Sequence, residues 1–212
     1  MRKFLPMGAI LLLCSMGLQA QKKKDNVIKD LESKSEKYSE IAHEIWGLAE
    51  MGYLEEQSSA LLQKTLSDAG FSIDKGIAGI PTAFKAEYGS GSPVIAILGE
   101  YDALPGLSQE AIPEKKSAGG AAGHACGHHL FGTASTAAAI SVKEWMENNN
   151  IKGTIRFYGC PAEEGGSGKV YMVREGVFND VDVALHWHPG SGNAASAGAA
   201  LANKSAKFRF HG

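Results

Sequence analysis

The sequence has 212 residues, 44% of them hydrophobic, and 21 Lys and Arg against 23 Asp and Glu give a formal net charge of -2. That is apolar material for one ordinary globular domain with a core of its own. The near balance of charge excludes a strongly basic surface, so nothing points to nucleic acid as a partner.

Arg2 and Lys3 precede an apolar run from Phe4 to Leu18 that ends in Gln19-Ala20-Gln21. This is the pattern of a secretory leader cleaved after Ala20, not of a membrane span. Residues 1–20 are therefore expected to be a signal peptide, and the mature chain to be secreted or periplasmic without stable membrane insertion. Cys14 lies inside the run, but the bulky Leu13 before it argues against lipidation. Leader removal leaves Cys126 and Cys160, which in an oxidising compartment are able to form one disulfide.

From Lys22 the composition turns charged, and Val27, Ile28, Leu31, Tyr38, Ile41, Ala42, Ile45 and Trp46 recur at helical spacing, predicting an amphipathic helix. A second helix is expected from about Ser58 to Ala69, stopped by Gly70. The run from Val94 to Leu98, after the turn-forming stretch from Gly89 to Pro93, reads as a buried strand with Asp102 just past its carboxyl end. Pro105 to Gly123 has no period, and a loop this long in a compact domain is usually functional or mobile. His129 to Asn148 returns to helix, dense in small residues that permit close packing on a sheet. Thr154 to Tyr158 reads as a strand, Ser167 to Glu175 as a short helix and Val181 to Leu185 as a strand. This alternation predicts an α/β three-layer sandwich with a largely parallel sheet over residues 21–195. Beyond it, Lys207-Phe208-Arg209-Phe210 alternates as a strand of another sheet would.

Three motifs carry chemistry: Cys126-Gly127-His128, Glu163-Glu164-Gly165-Gly166, and His186-Trp187-His188-Pro189. Each alone has a plainer reading, as a core cysteine, a solvated acidic pair or a packed histidine. Together they offer a thiolate, imidazoles and carboxylates that can converge on a pair of divalent metals, with one carboxylate to spare for proton transfer. Asp102, Glu163, Glu164 and His186 all follow expected strands, and ligands of such sheets gather at the strands' carboxyl ends. Neighbouring side chains diverge, so one glutamate can bind metal while the other faces the attacking water. Orientation or packing is expected of His124, His129 and His188, and a surface position of His43. Gly165-Gly166-Ser167-Gly168-Lys169 lacks the first glycine and the hydroxyl residue of a nucleotide loop.

These motifs, with the run from Phe157 to Lys169 and Gly99-Glu100-Tyr101-Asp102-Ala103-Leu104-Pro105, resemble the two-metal amidohydrolases that include aminoacylases, auxin-conjugate hydrolases and carboxypeptidase G. Within that family the resemblance is nearest to the branch of the aminobenzoyl-glutamate hydrolase B subunit. It implies two divalent ions, zinc or manganese, held by Cys126, His128, Glu164 and His186, with His188 as the alternative to His186. It further implies Glu163 as general base for a metal-activated water and Asp102 as the carboxylate that orients a ligand histidine. The implied reaction is cleavage of the amide bond of an N-acyl or aryl-amide amino acid, an aminobenzoyl-glutamate-like small molecule.

Members of that family are about twice as long, with a lid and dimerisation domain inserted in the catalytic domain, and are homodimeric. The resemblance therefore implies that residues 196–212 begin a truncated lid domain, and that this chain is a weakly active fragment or works with a partner segment. Two other classes compete: a noncatalytic metal-binding remnant, and a thiol hydrolase using Cys126 with a nearby histidine.

Overall fold

The computed structural model describes residues 24–195 and 206–212. The leader read over residues 1–20, with Cys14, lies outside them, as does most of the expected second domain. Among the described residues no helix is long and apolar enough to cross a membrane.

Helical turns over residues 24–33 lead into α1 (Ser35–Leu48), whose Tyr38, Ile41, Ala42 and Ile45 form the buried stripe expected from their spacing. Helix α2 (Glu56–Asp68) stops where Gly70 takes the left-handed conformation at φ 92°, which costs a glycine nothing. A hairpin-like pair follows, β1 (Ser72–Lys75) and β2 (Phe84–Ser90), then β3 (Val94–Gly99). The long connection after β3 is pinned at its base by two short strands, β4 (Leu104–Pro105) and β5 (Ala122–Gly123), paired antiparallel. Next come α3 (His128–Asn149), β6 (Gly153–Gly159), a tight helical turn at Glu163–Gly166, α4 (Gly168–Arg174) and β7 (Val183–Leu185).

The main sheet has the order β1-β2-β6-β3-β7. Strands β6, β3 and β7 run parallel, whereas β1 and β2 extend the sheet antiparallel. The parallel part is the part read from the sequence. The two antiparallel strands were not, because Ser72–Lys75 is short and Phe84–Ser90 is interrupted by charge and glycine. Side chains alternate across the sheet. Ile97, Ile155 and Phe157 join Ile41, Ile45, Leu62, Leu66 and Ile140 of the helices on one face. Ala96, Tyr158 and Cys160 face Met172 of α4 and the segment Val177–Val181 on the other. Helices thus cover both faces, the three-layer α/β arrangement.

Lys207–Phe210, expected as a strand, is not one. Phe208 and Phe210 are 80% and 89% exposed, and no adjacent described strand offers the backbone partners an extended segment needs. Cys126 and Cys160 are both free. Cys160 is buried in the second core layer, its thiol bonded to the Tyr158 carbonyl at 3.4 Å, while Cys126 belongs to the loop before α3.

Candidate metal centre

Because β6, β3 and β7 are neighbours and parallel, their carboxyl ends open on one edge of the sheet. Glu100 and Asp102 follow β3, Glu163 and Glu164 follow β6, and His186 and His188 follow β7. Helix α3 begins at this edge, bringing His128 in its first turn. Two glycines make the approach possible. A side chain at Gly132 would meet the Glu100 carbonyl at 2.5 Å, so only glycine lets α3 lie this close to the end of β3. Gly127, left-handed at φ 84°, would meet Pro189 at 3.0 Å, which seats the His188 loop against Cys126. The Trp187 indole donates to Ser135 Oγ at 3.0 Å and ties the same loop to α3.

His128 is the centre of the arrangement. Its Nδ1–H donates to Asp102 Oδ1 at 2.8 Å, both side chains being fully buried. Its Nε2 lies 3.0 Å from Glu100 Oε2, 3.9 Å from Glu163 Oε2 and 4.0 Å from Glu164 Oε1. Asp102 has a second task, since its Oδ2 accepts the Glu164 backbone N–H at 2.8 Å. Cys126 Sγ and His188 Nε2 are 3.3 Å apart. Two groups therefore have donor atoms within 4.8 Å of one another: Cys126, His128 and His188, and Glu100, His128 and Glu163. His128 belongs to both, but with Nδ1 engaged it has one nitrogen for one ion. The other position needs different donors.

These residues fit a divalent cation. His128 Nε2, Glu100 Oε2 and Glu164 Oε1 are buried and have no hydrogen-bond partner, which a bound cation would supply. The electrostatics agree. Burial alone would lower the pKa of His128, yet Asp102 and Glu100 outweigh it and push it up to about 10. A field that holds a proton so firmly also favours a metal ion at that nitrogen. Burial raises the Glu163 carboxyl, and the nearby Glu100 and Glu164 add to it. Burial, with Glu164 beside it, pushes the Cys126 thiol up to about 12. A free nucleophilic thiol needs the opposite shift.

The two glutamates differ as their adjacency in the sequence suggests. The Glu164 side chain is 16% exposed and the Glu163 side chain 47% exposed, open to the cleft. The turn that carries them is bracketed by Ala162 and Ser167, both left-handed at φ 56° and 57°, a local strain of the kind found at functional turns. It is held by the Tyr53 hydroxyl, which donates to the Gly166 carbonyl at 2.6 Å, and by Glu55 Oε1, which accepts the Ala162 N–H at 2.7 Å.

The structure thus brings Cys126, His128, Glu163, Glu164 and Asp102 to one strand edge. Of the two histidines after β7, His188 faces Cys126, whereas His186 Nε2 faces Glu100 Oε1 at 3.5 Å. His124 bonds the Ile45 carbonyl at 3.1 Å, and His129 packs edge-on to Trp46 with ring centroids 4.9 Å apart, both in packing roles. His43 is exposed. Glu100, Lys169 and Glu55 carry no role in the sequence reading. Glu100 had a signal, its place directly after β3. Lys169, which pairs with Glu100, and Glu55, buried beneath the turn, had none.

Fold and donor set define an α/β domain of the metallohydrolase class, with side chains able to hold a metal gathered at the carboxyl ends of parallel strands. The chain belongs to peptidase family M20/M25/M40, which residues 96–204 match. It is 50% identical over 184 residues to the B subunit of p-aminobenzoyl-glutamate hydrolase from Escherichia coli, covering 86% of this chain and 38% of that protein. The mouse Xaa-Arg dipeptidase is 29% identical over 185 residues, covering 81% of this chain and 39% of that one. Among solved structures, a dinuclear metal-binding M20 peptidase of Bacillus subtilis superposes with a TM-score of 0.59 at 27% identity, covering 73% of this chain and 43% of that one. The chain therefore spans about two fifths of the length of these relatives.

Proposed function

We propose that this chain supplies the metal-binding and proton-transfer groups of an amidohydrolase acting on the amide bond of an N-acyl or aryl-amide amino acid, aminobenzoyl-glutamate being the leading candidate. One observation carries the reading: three buried, unpartnered donor atoms converge beside a carboxylate, Glu163, that is open to the cleft. Cys126, His128 and Glu164 hold divalent ions, zinc or manganese, and a further donor comes from His186 or His188, of which His188 stands against Cys126. A thiolate favours zinc, whereas carboxylates also suit manganese.

When bound, such ions acidify a water and polarise an amide carbonyl. Glu163 takes the proton of that water and returns it to the leaving amine. Asp102 keeps the His128 ring turned so that Nε2 is left beside Glu100, Glu163 and Glu164, and through the Glu164 N–H it keeps the Glu163–Gly166 turn in register. The E. coli relative is named as one subunit of a hydrolase, which supports a second polypeptide as partner. The leader-like first 20 residues support export; a protease-protection assay on intact cells tests it.

The test is metal content of the purified chain and of Cys126→Ser, His128→Ala, His186→Ala and His188→Ala, together with metal-dependent release of glutamate from aminobenzoyl-glutamate. The release assay is run with the chain alone and with a polypeptide covering the region of the E. coli relative that this chain does not span. Unchanged stoichiometry in both Cys126→Ser and His128→Ala sinks the metal centre. Metal uptake without turnover in either arrangement favours the noncatalytic reading.

The 3.3 Å contact between Cys126 and His188 is the one observation favouring a thiol hydrolase, and the upward shift of the Cys126 thiol opposes it. Activity that persists in the metal-stripped chain, depends on reductant and not on metal, and is lost irreversibly to iodoacetamide would support that alternative.

A further inference from the structure

Glu100 is 1% exposed, and its two oxygens have different fates. Oε1 is gripped by Lys169 Nζ and faced by His186 Nε2 at 3.5 Å. Oε2 is buried without a hydrogen-bond partner and stands 3.0 Å from His128 Nε2, itself without one. The two atoms are close enough to bond to each other, but their directions do not allow it. Both are left unsatisfied by any described protein group.

Metal chemistry accounts for that spacing. Two donors each about 2.1 Å from one ion sit about 3.0 Å apart when they subtend a right angle and about 3.4 Å apart at a tetrahedral angle. Glu100 Oε2 and His128 Nε2 meet this condition. The Glu163 and Glu164 oxygens, at 3.9 and 4.0 Å from the same nitrogen, are wider than it. We propose that Glu100 is itself a metal donor, sharing through Oε2 the ion that His128 Nε2 binds, while Lys169 occupies Oε1 and keeps the carboxylate monodentate. The proposal rests on the metal-centre reading above and adds a carboxylate to it. It also gives Lys169 a purpose: a cation that offsets part of the charge of Glu100, Asp102, Glu163 and Glu164 and fixes which oxygen faces the ion.

Cobalt(II) titrated into the full 212-residue chain tests this, because its visible absorption bands report the donor set directly. Glu100→Gln keeps the shape of the side chain and removes the anionic donor. The expected result is cobalt affinity at least ~10-fold weaker, with visible bands shifted in position and intensity. Circular dichroism checks folding. If Glu100→Gln does not fold, Glu100→Asp, which withdraws the carboxylate by one methylene, is expected to show shifted bands. Bands identical to wild type in either folded variant overturn the assignment, whatever happens to affinity, because a residue acting only through its neighbours leaves the donor set intact. A wild-type chain that takes up no cobalt would instead overturn the metal centre as a whole, so the two failures are distinguishable.

Discussion

Asp102 Oδ1 and His128 Nδ1 meet at 2.8 Å where the end of β3 touches the start of α3, with neither side chain exposed. The pairing joins two elements far apart in the chain and determines which nitrogen of His128 is left to bind. Asp102→Asn keeps the volume but sets an amide where the carboxylate accepted two N–H groups. Metal affinity is expected to fall about 10- to 100-fold, the usual scale when the group orienting a ligand histidine is lost. Isothermal titration with zinc measures it, and an unchanged affinity would show that the ring needs no such partner.

Glu163 and Glu164 are expected to separate cleanly by substitution. In a completed, full-length version, Glu163→Gln should retain metal yet lose at least ~100-fold in turnover, the scale of removing a general base. Glu164→Gln should weaken metal binding, since it alters a buried donor oxygen that has no other partner. Metal content and amide hydrolysis measured side by side decide the matter, and equal metal loss in both variants would reverse or erase the division of roles.

Glu55 makes stability depend on pH. It is fully buried, and burial pushes its carboxyl up from the ordinary 4.5 to about 7. The folded chain therefore holds this proton more tightly than the unfolded one. The resulting stability is fully present below about pH 4.5 and is lost as pH rises through about 7. Glu55→Gln can still accept the Ala162 N–H and has no proton to lose. Urea denaturation at pH 5 and pH 8 should show the variant gaining on wild type at the higher pH; parallel curves at both would refute it.

Gly132 is where α3 rests on the Glu100 carbonyl. Gly132→Ala normally favours a helix, yet here the methyl group would displace backbone at the rim of the site. A loss of roughly 1–3 kcal/mol is expected, as for overpacked cores, with metal affinity falling alongside because Glu100 and Asp102 move with the strand end. A melting temperature equal to or above wild type would contradict this close approach.

Much of the architecture was legible in local signals. The stripe on α1, the glycine stop of α2, the apolar runs of β3 and β6 and the small-residue helix α3 each follow from periodicity or composition over a few turns, and the observed elements agree within a few residues. β1 and β2 were not legible, because their stability comes from pairing with each other and with β6 and not from their own pattern. The strand expected at Lys207–Phe210 shows the reverse case, an alternating pattern without a partner.

The sequence by itself determined which chemistry was available: Cys126 and His128 two residues apart, adjacent Glu163 and Glu164, and two histidines after the last strand are present in any conformation. Only the tertiary structure decided how these groups are used. That Asp102 takes one nitrogen of His128, that His188 and not His186 stands against Cys126, and that Glu55 supports the glutamate turn are all contacts between residues distant in the chain. The physical reason is that donor type belongs to a residue, whereas burial, neighbouring charge and the direction of a lone pair belong to the packing of several elements at one strand edge. Glu100 is the clearest case: in the sequence it is one acidic residue beyond a strand, and in the fold it is a buried carboxylate with one oxygen held by Lys169 and the other unpartnered 3.0 Å from His128 Nε2.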